Sequence, residues 1–96
     1  MRRWRVFITP AAERVAKKLP RHVQNFISEE FPKLVKDNPL IGGELSGPLV
    51  WLRSFHFSVD SRPYRIVYEL KEKDSKIVIH YAGYRGGFYE RLRRLF

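Results

Sequence analysis

Two runs of strict alternation, separated by a tract that cannot alternate, constrain this chain more than anything else in it. Between Leu52 and Leu70 it reads L-R-S-F-H-F-S-V-D-S-R-P-Y-R-I-V-Y-E-L. In an extended chain Phe55, Phe57 and Val59 fall on one side and Ser54, His56 and Ser58 on the other. After the break, Tyr64, Ile66, Tyr68 and Leu70 oppose Arg65, Val67 and Glu69. Period-two patterning rich in aromatic and β-branched residues predicts half-buried strands. Asp60-Ser61-Arg62-Pro63 supplies turn chemistry, and Pro63 has no N–H to give a ladder. The pattern predicts an antiparallel hairpin that buries Phe55, Phe57, Tyr64, Ile66 and Tyr68 and shows Ser54, His56 and Arg65 on its other face. A slip of one residue would exchange the two faces.

The residues before the hairpin are patterned to cover it. Arg3 to Thr9 sets Trp4, Val6 and Ile8 against Arg3, Arg5 and Phe7, a strand with so few polar members that a central place in the sheet is expected. Thr9-Pro10 is a helix start, with Thr9 as N-cap and Pro10 at the first helical position. Ala12, Val15, Ala16 and Leu19 make one helical stripe, Lys17 and Lys18 suit its C-terminal end, and Pro20 stops it. A second helix begins near Arg21, where His22 faces solvent. Its stripe is Val23, Phe26, Ile27, Phe31, Leu34 and Val35, with a kink or break expected at Pro32. Leu40 to Pro48 is a glycine-rich connector with no phosphate-loop signature. After the hairpin come a charged turn (Lys71 to Lys76), a buried last strand (Ile77 to Ala82), and a tight turn (Gly83 to Gly87). A short helix from Phe88 to Phe96 closes the chain, with Phe88, Leu92 and Leu95 inward and Arg91, Arg93 and Arg94 outward. The fold class expected is α+β: an antiparallel or mixed four-stranded sheet with an N-terminal helical hairpin and a short C-terminal helix, in the order β-α-α-β-β-β-α.

At 96 residues this is expected to be one domain, 1–96, with a single modest core. Cysteine is absent, which excludes disulfides, thiolate nucleophiles and cysteine–zinc sites. His22, His56 and His80 are scattered without metal spacing, so neither a metal nor a cofactor is expected. No apolar run reaches the ~18 residues of a membrane span. The basic start runs into a strand rather than a signal-peptide core, so no membrane partner and a cytoplasmic location are expected. The net charge of +9 favours a polyanionic partner: nucleic acid, ribosome or an acidic protein.

With that element order on the page, further motifs converge: G-E-L-S-G before the hairpin, L-R-S-F-H-F-S-V, then R-P-Y-R-I-V-Y-E-L, and G-Y-R-G-G-F-Y-E-R-L-R-R after the last strand. Together, over nearly the whole chain, they resemble the RelE/ParE superfamily of toxins from type II toxin–antitoxin modules. RelE-like members are mRNA endonucleases acting in the ribosomal A site, whereas ParE-like members poison DNA gyrase without chemistry. The resemblance therefore implies a RelE-like fold, a cognate RelB-like antitoxin, and the ribosome and mRNA as partners. A heterotetramer with the antitoxin is among the assemblies it allows. Residue by residue, Tyr64-Arg65 matches the family's strand arginine, Gly83-Tyr84-Arg85 its turn arginine, and Tyr89 its final tyrosine. The RelE branch also carries two lysines, two residues apart, where this chain has Ser54 and His56. That leaves the general base open between His56 and Glu44.

The chemistry can be set beside the resemblance. Metal-free RNA cleavage takes a proton from a ribose 2′-hydroxyl, stabilises a crowded phosphorane and protonates the leaving oxygen. An imidazole suits the first task. Guanidinium groups suit the second, binding phosphate oxygens in a fork while staying charged. His56, Arg65, Arg85 and Tyr89 are the candidate catalytic residues, and Arg53, Ser54, Tyr84 and Arg91 the candidate substrate contacts, with Tyr84 or Tyr89 able to stack on a base. Each has a plainer alternative: His56 as an ordinary strand residue, Arg65 paired with Glu69, Arg85 capping its strand, Tyr89 packing at a helix start. The two function classes are a ribosome-dependent mRNA interferase and a gyrase-binding inhibitor.

Overall fold

The structure, a computed structural model, describes residues 2–88. The C-terminal helix expected beyond Phe88, and with it Tyr89, Arg91, Arg93 and Arg94, lies outside the described residues.

Strand β1 (Arg5–Ile8) ends at Thr9, which turns the chain into helix α1 (Pro10–Ala16). The Thr9 hydroxyl accepts the Ala12 N–H at 3.1 Å, and Pro10 sits where its missing N–H costs nothing. After Pro20, a second helical rod runs through α2 (Arg21–Asn25), a π turn (Phe26–Glu30) and α3 (Phe31–Asp37). The π turn is the interruption expected near Pro32. Without an N–H at 32 to reach back four residues, the backbone widens, and the Phe31 N–H bonds the Phe26 carbonyl five residues back. The wider turn rephases the stripe. A regular helix rotates by about 40° for every four residues; here Val23, Ile27, Phe31 and Val35, four apart throughout, are all buried. Leu34, expected in that stripe, is rotated out and exposed.

The sheet has five strands among the described residues, in the order β1-β5-β4-β3-β2, with β2 (Gly43–Glu44), β3 (Leu52–Val59), β4 (Arg62–Lys71) and β5 (Lys76–Tyr84). The β1–β5 pairing is parallel and the others antiparallel, so the sheet is mixed. Two expectations are corrected. The glycine-rich connector contains a short fifth strand, β2, whose two residues are too few to carry any alternation. The first strand is an edge strand rather than a central one. Phe7, which made it look apolar on both sides, is 43% exposed, with the Arg5 guanidinium 5.8 Å and the Lys76 ammonium 5.6 Å from its ring.

The β3–β4 hairpin has the register that its alternation requires, with Phe55 opposite Ile66, His56 opposite Arg65 and Phe57 opposite Tyr64. Its turn is shorter than the sequence suggested. Asp60 and Ser61 alone make it, both at positive φ (52° and 64°), the type I′ conformation whose twist matches that of a hairpin. Arg62 and Pro63 belong to β4. Val59 and Arg62 close the turn as a bonded pair, so the Pro63 nitrogen points away from β3. On that other side, β5 pairing begins at Tyr64, so the missing N–H breaks no ladder.

The helices cover one face of the sheet. There Ala12, Ala16, Leu19, Val23, Ile27, Phe31 and Val35 pack on Tyr64, Ile66, Tyr68, Ile77, Ile79 and Ala82. The far face holds a smaller cluster of Leu52, Val67, Tyr81 and Phe88, with Val15, Leu45 and Leu49 at its margin. Helix α1 joins the two clusters. Pairing of β1 stops at Ile8–Ile79, the Thr9 N–H bonds the Ile79 carbonyl at 3.0 Å, and α1 then flanks β5, sending Ala12 and Ala16 to one core and Val15 to the other.

Candidate functional site

The far face is where the candidate residues meet. His56 on β3 and Arg65 on β4 are directly paired across the hairpin, and Arg65 is in turn opposite Gly83 on β5. Two residues on, the 3₁₀ turn Arg85–Gly87 carries Arg85 back toward them. His56 is exposed, yet partial desolvation, then the Arg65 charge, then the Arg85 charge hold its imidazole pKa below the ordinary 6.5. The imidazole is thereby biased toward its neutral, proton-accepting form. The Arg65 guanidinium lies over the Phe88 ring at 4.6 Å, so an apolar floor supports the charge. Arg85 is half-buried, and its Nε is a buried donor with no hydrogen-bond partner among the described residues. Such a group is costly unless something accepts from it. An anionic oxygen would satisfy it.

The other candidates divide by strand parity. Ser54 shares the face of His56 but is buried at 8% exposure, its hydroxyl also without a hydrogen-bond partner among the described residues. Arg53 does not join the site. It lies on the helix-covered face opposite Tyr68, and its guanidinium donates to the carbonyls of Gly42 (2.6 Å) and Leu40 (3.4 Å), tying down the segment before β2. Glu44 pairs with Arg53 in the β2–β3 register, so it belongs to that same face and away from His56. Tyr84 pairs with Tyr64 and stacks on its ring at 5.1 Å on the helix side, so it is not set beside Arg65. The one-residue alternation that puts His56 and Arg65 together is what takes Arg53, Glu44 and Tyr84 away.

Sequence reading missed a second polar cluster on the far face. His80 Nε2 and Glu69 Oε1 are 3.0 Å apart, with Trp51 edge-on to the imidazole at 5.7 Å. Its cause is a β-bulge: Val67 pairs with Tyr81 and Tyr68 with Ile79, leaving His80 as the extra residue, so His80 and Tyr81 share one face. Continuous apolar character from Ile77 to Ala82 hid it. Among the described residues no three His, Asp or Glu side chains gather where they could hold a metal ion, and no helix is long and apolar enough to cross a membrane. A groove of about 690 Å³ lies elsewhere, between β1 and the helices, floored by Val6, Ile8 and Ile27 and lined also by Lys17, Arg21 and Lys36.

A family model described as ParE-like toxin of type II bacterial toxin–antitoxin system matches residues 6–93. No curated protein matches the chain. Among solved structures, the RelBE2 toxin–antitoxin complex of Mycobacterium tuberculosis is similar at 24% identity, covering 86% of this chain and 99% of that one, with a TM-score of 0.76. The free E. coli RelE toxin, as a double mutant, is similar at 16% identity over all of both chains, with a TM-score of 0.71. The archaeal RelE–RelB complex of Pyrococcus horikoshii is similar at 24% identity over 90% of this chain and 98% of that one, with a TM-score of 0.61. At these identities the likeness is one of fold.

Proposed function

The chain belongs to the RelE/ParE superfamily of type II toxin–antitoxin toxins, and from that membership we propose that it is a ribosome-dependent endonuclease of translated mRNA, working without a metal ion. His56 takes the proton from a ribose 2′-hydroxyl. The 2′-oxygen attacks the adjacent phosphorus, the bond from phosphorus to the 5′-oxygen breaks, and that oxygen takes its proton from solvent water, while His56 later returns its own proton to solvent. The products are a 2′,3′-cyclic phosphate and a 5′-hydroxyl. Arg65 and Arg85 hold the phosphoryl oxygens while charge builds on them, the role that guanidinium geometry fits. Arginine is a poor proton donor, so the arginines act through charge.

The observation that carries this reading is the meeting of His56, Arg65 and Arg85 on one sheet face, with the Arg85 Nε donor without a hydrogen-bond partner among the described residues. Arg65→Ala should abolish cleavage of message on ribosomes while circular dichroism shows the fold intact. Losing one transition-state charge contact costs ~3 kcal/mol, on the order of a hundredfold or more in rate. Arg65→Lys keeps the charge but loses the fork, and should recover little. Primer extension on translated message reads both. The second reading, docking to DNA gyrase, is favoured by the ParE-like description of the family model and by the absence of paired lysines at Ser54 and His56. A wild-type protein that leaves translated mRNA whole but traps gyrase on cleaved DNA would establish it instead.

An antitoxin is the partner that toxins of this class require, and RelE-fold relatives are seen bound to RelB chains. The groove beside the open β1 edge, with Lys17, Arg21 and Lys36 around an apolar floor, suits an extended segment alternating acidic and apolar side chains. The excess positive charge would steer such a segment in, faster at low salt.

A further inference from the structure

Arg65 and Arg85 come from different elements, one from a strand and one from a turn, and one buried side chain touches what holds each of them. Tyr81 faces the far side of the sheet only because the bulge at His80 reverses the alternation of β5. Its hydroxyl donates to the Tyr84 carbonyl at 2.5 Å, the last peptide before Arg85. A Cβ added at Gly83 would stand 2.8 Å from that hydroxyl, and one at Gly87 3.3 Å from it. Neither glycine has positive φ, so what each gives up is volume, and the segment Gly83–Gly87 closes around the phenol. The Tyr81 ring also packs against Phe88 with centroids 5.6 Å apart, and Phe88 is the floor under the Arg65 guanidinium.

We infer that Tyr81 is a positioning residue. Its hydroxyl fixes the turn that carries Arg85, and its ring fixes the Phe88 platform beneath Arg65, so that the two cations are aimed at the same point beside His56. The inference rests on the endonuclease reading for its effect on rate, but the placement of Arg85 can be measured without any cleavage. The plainer role for Tyr81 is to fill the small apolar cluster with Leu52 and Val67. Filling requires the ring; positioning Arg85 requires the hydroxyl. Tyr81→Phe separates the two.

The test is made on the full chain with Tyr81→Phe, Arg85→Gln and the double substitution, each checked for folding by circular dichroism. NMR titration of His56 reads the Arg85 charge directly. Tyr81→Phe should raise the His56 midpoint toward 6.5, in the same direction as Arg85→Gln, and the double variant should titrate like Arg85→Gln alone. On translated message, Tyr81→Phe should lower kcat by about tenfold with KM little changed, and should add nothing in the Arg85→Gln background. A His56 titration identical to wild type in Tyr81→Phe would overturn the inference, as would rate losses for the two substitutions that simply multiply. If the wild-type protein cleaves no RNA, the endonuclease reading falls while the titration still decides whether Tyr81 places Arg85.

Discussion

On the helix-covered face of the sheet, Phe26, Phe31, Phe55, Phe57, Tyr64 and Tyr68 form an unbroken run of ring contacts, from 4.4 Å between Phe26 and Phe57 to 6.3 Å between Phe26 and Phe55. On the far face, four buried apolar residues sit beside an imidazole, two guanidiniums and a His–Glu pair. The two faces are written by alternate residues of the same strands. Neighbours in sequence should therefore differ in kind: at 64–66, Tyr64 and Ile66 hold the fold, and Arg65 between them faces the candidate site. Tyr64, Ile66 and Tyr68 are buried, whereas Arg65 between them is half-buried and charged.

The sharpest way to break this contrast is to compare adjacent positions. Ile66 is fully buried in the main core, and Ile66→Ala removes three carbons that the helices cannot follow inward. Urea unfolding should show a loss of about 2–5 kcal/mol. Arg65→Ala should lose less than ~1 kcal/mol, the scale of its contact with the Phe88 ring. Comparable losses at 65 and 66 would mean that the far face is as structural as the near one.

A smaller effect is expected where the near face organises backbone. The Tyr68 hydroxyl donates to the Pro39 carbonyl at 2.7 Å and accepts the Gly42 N–H at 2.9 Å. Gly42 lies so close to the ring that an added Cβ would come within 2.9 Å of it. Tyr68→Phe leaves both backbone groups without that partner, and should cost about 1–3 kcal/mol by the same urea measurement. Because Tyr68 faces away from His56, RNA cleavage per folded molecule should be unchanged. A variant that is stable but inactive would show that the segment before β2 reaches the site.

How much of this was legible in the sequence follows from what alternation can encode. The hairpin register was fully specified, because a slip would have buried His56 and Arg65 and exposed two phenylalanines. The Thr9 cap and the interruption near Pro32 were legible from local chemistry, though the compensating π turn and the loss of Leu34 from the stripe were not. Features that lie off the period were missed: β2 is too short to show one, and the bulge at His80 breaks one inside an apolar run. The edge position of β1 was misread because Phe7 is shielded by Arg5 and Lys76 rather than by protein core. The pairing of His56 with Arg65 on one face was legible because both sit on long strands. Arg53 and Tyr84 were grouped with them by nearness in sequence, and the register places both on the other face.

The smallest expected effect concerns one proton on the far face. His56 in the folded protein has a pKa below the ordinary 6.5, first from partial desolvation and then from Arg65 and Arg85. Between that lowered value and 6.5 the unfolded chain binds more proton than the folded one, so stability must rise with pH through this window and level off above it. Acidification from 6.5 downward therefore favours unfolding slightly, and His56→Gln should remove that part of the slope. If His56 is the base, the acid limb of kcat/KM on translated message must fall in the same window, since a protonated imidazole cannot accept the 2′-hydroxyl proton. Arg85→Gln removes one repulsive charge and should move both the stability slope and the acid limb up toward 6.5. A near-face substitution such as Tyr68→Phe should move neither. An acid limb that stays fixed in Arg85→Gln while the His56 imidazole itself titrates higher would assign the essential base to another group, and would leave His56 as a bystander beside two arginines.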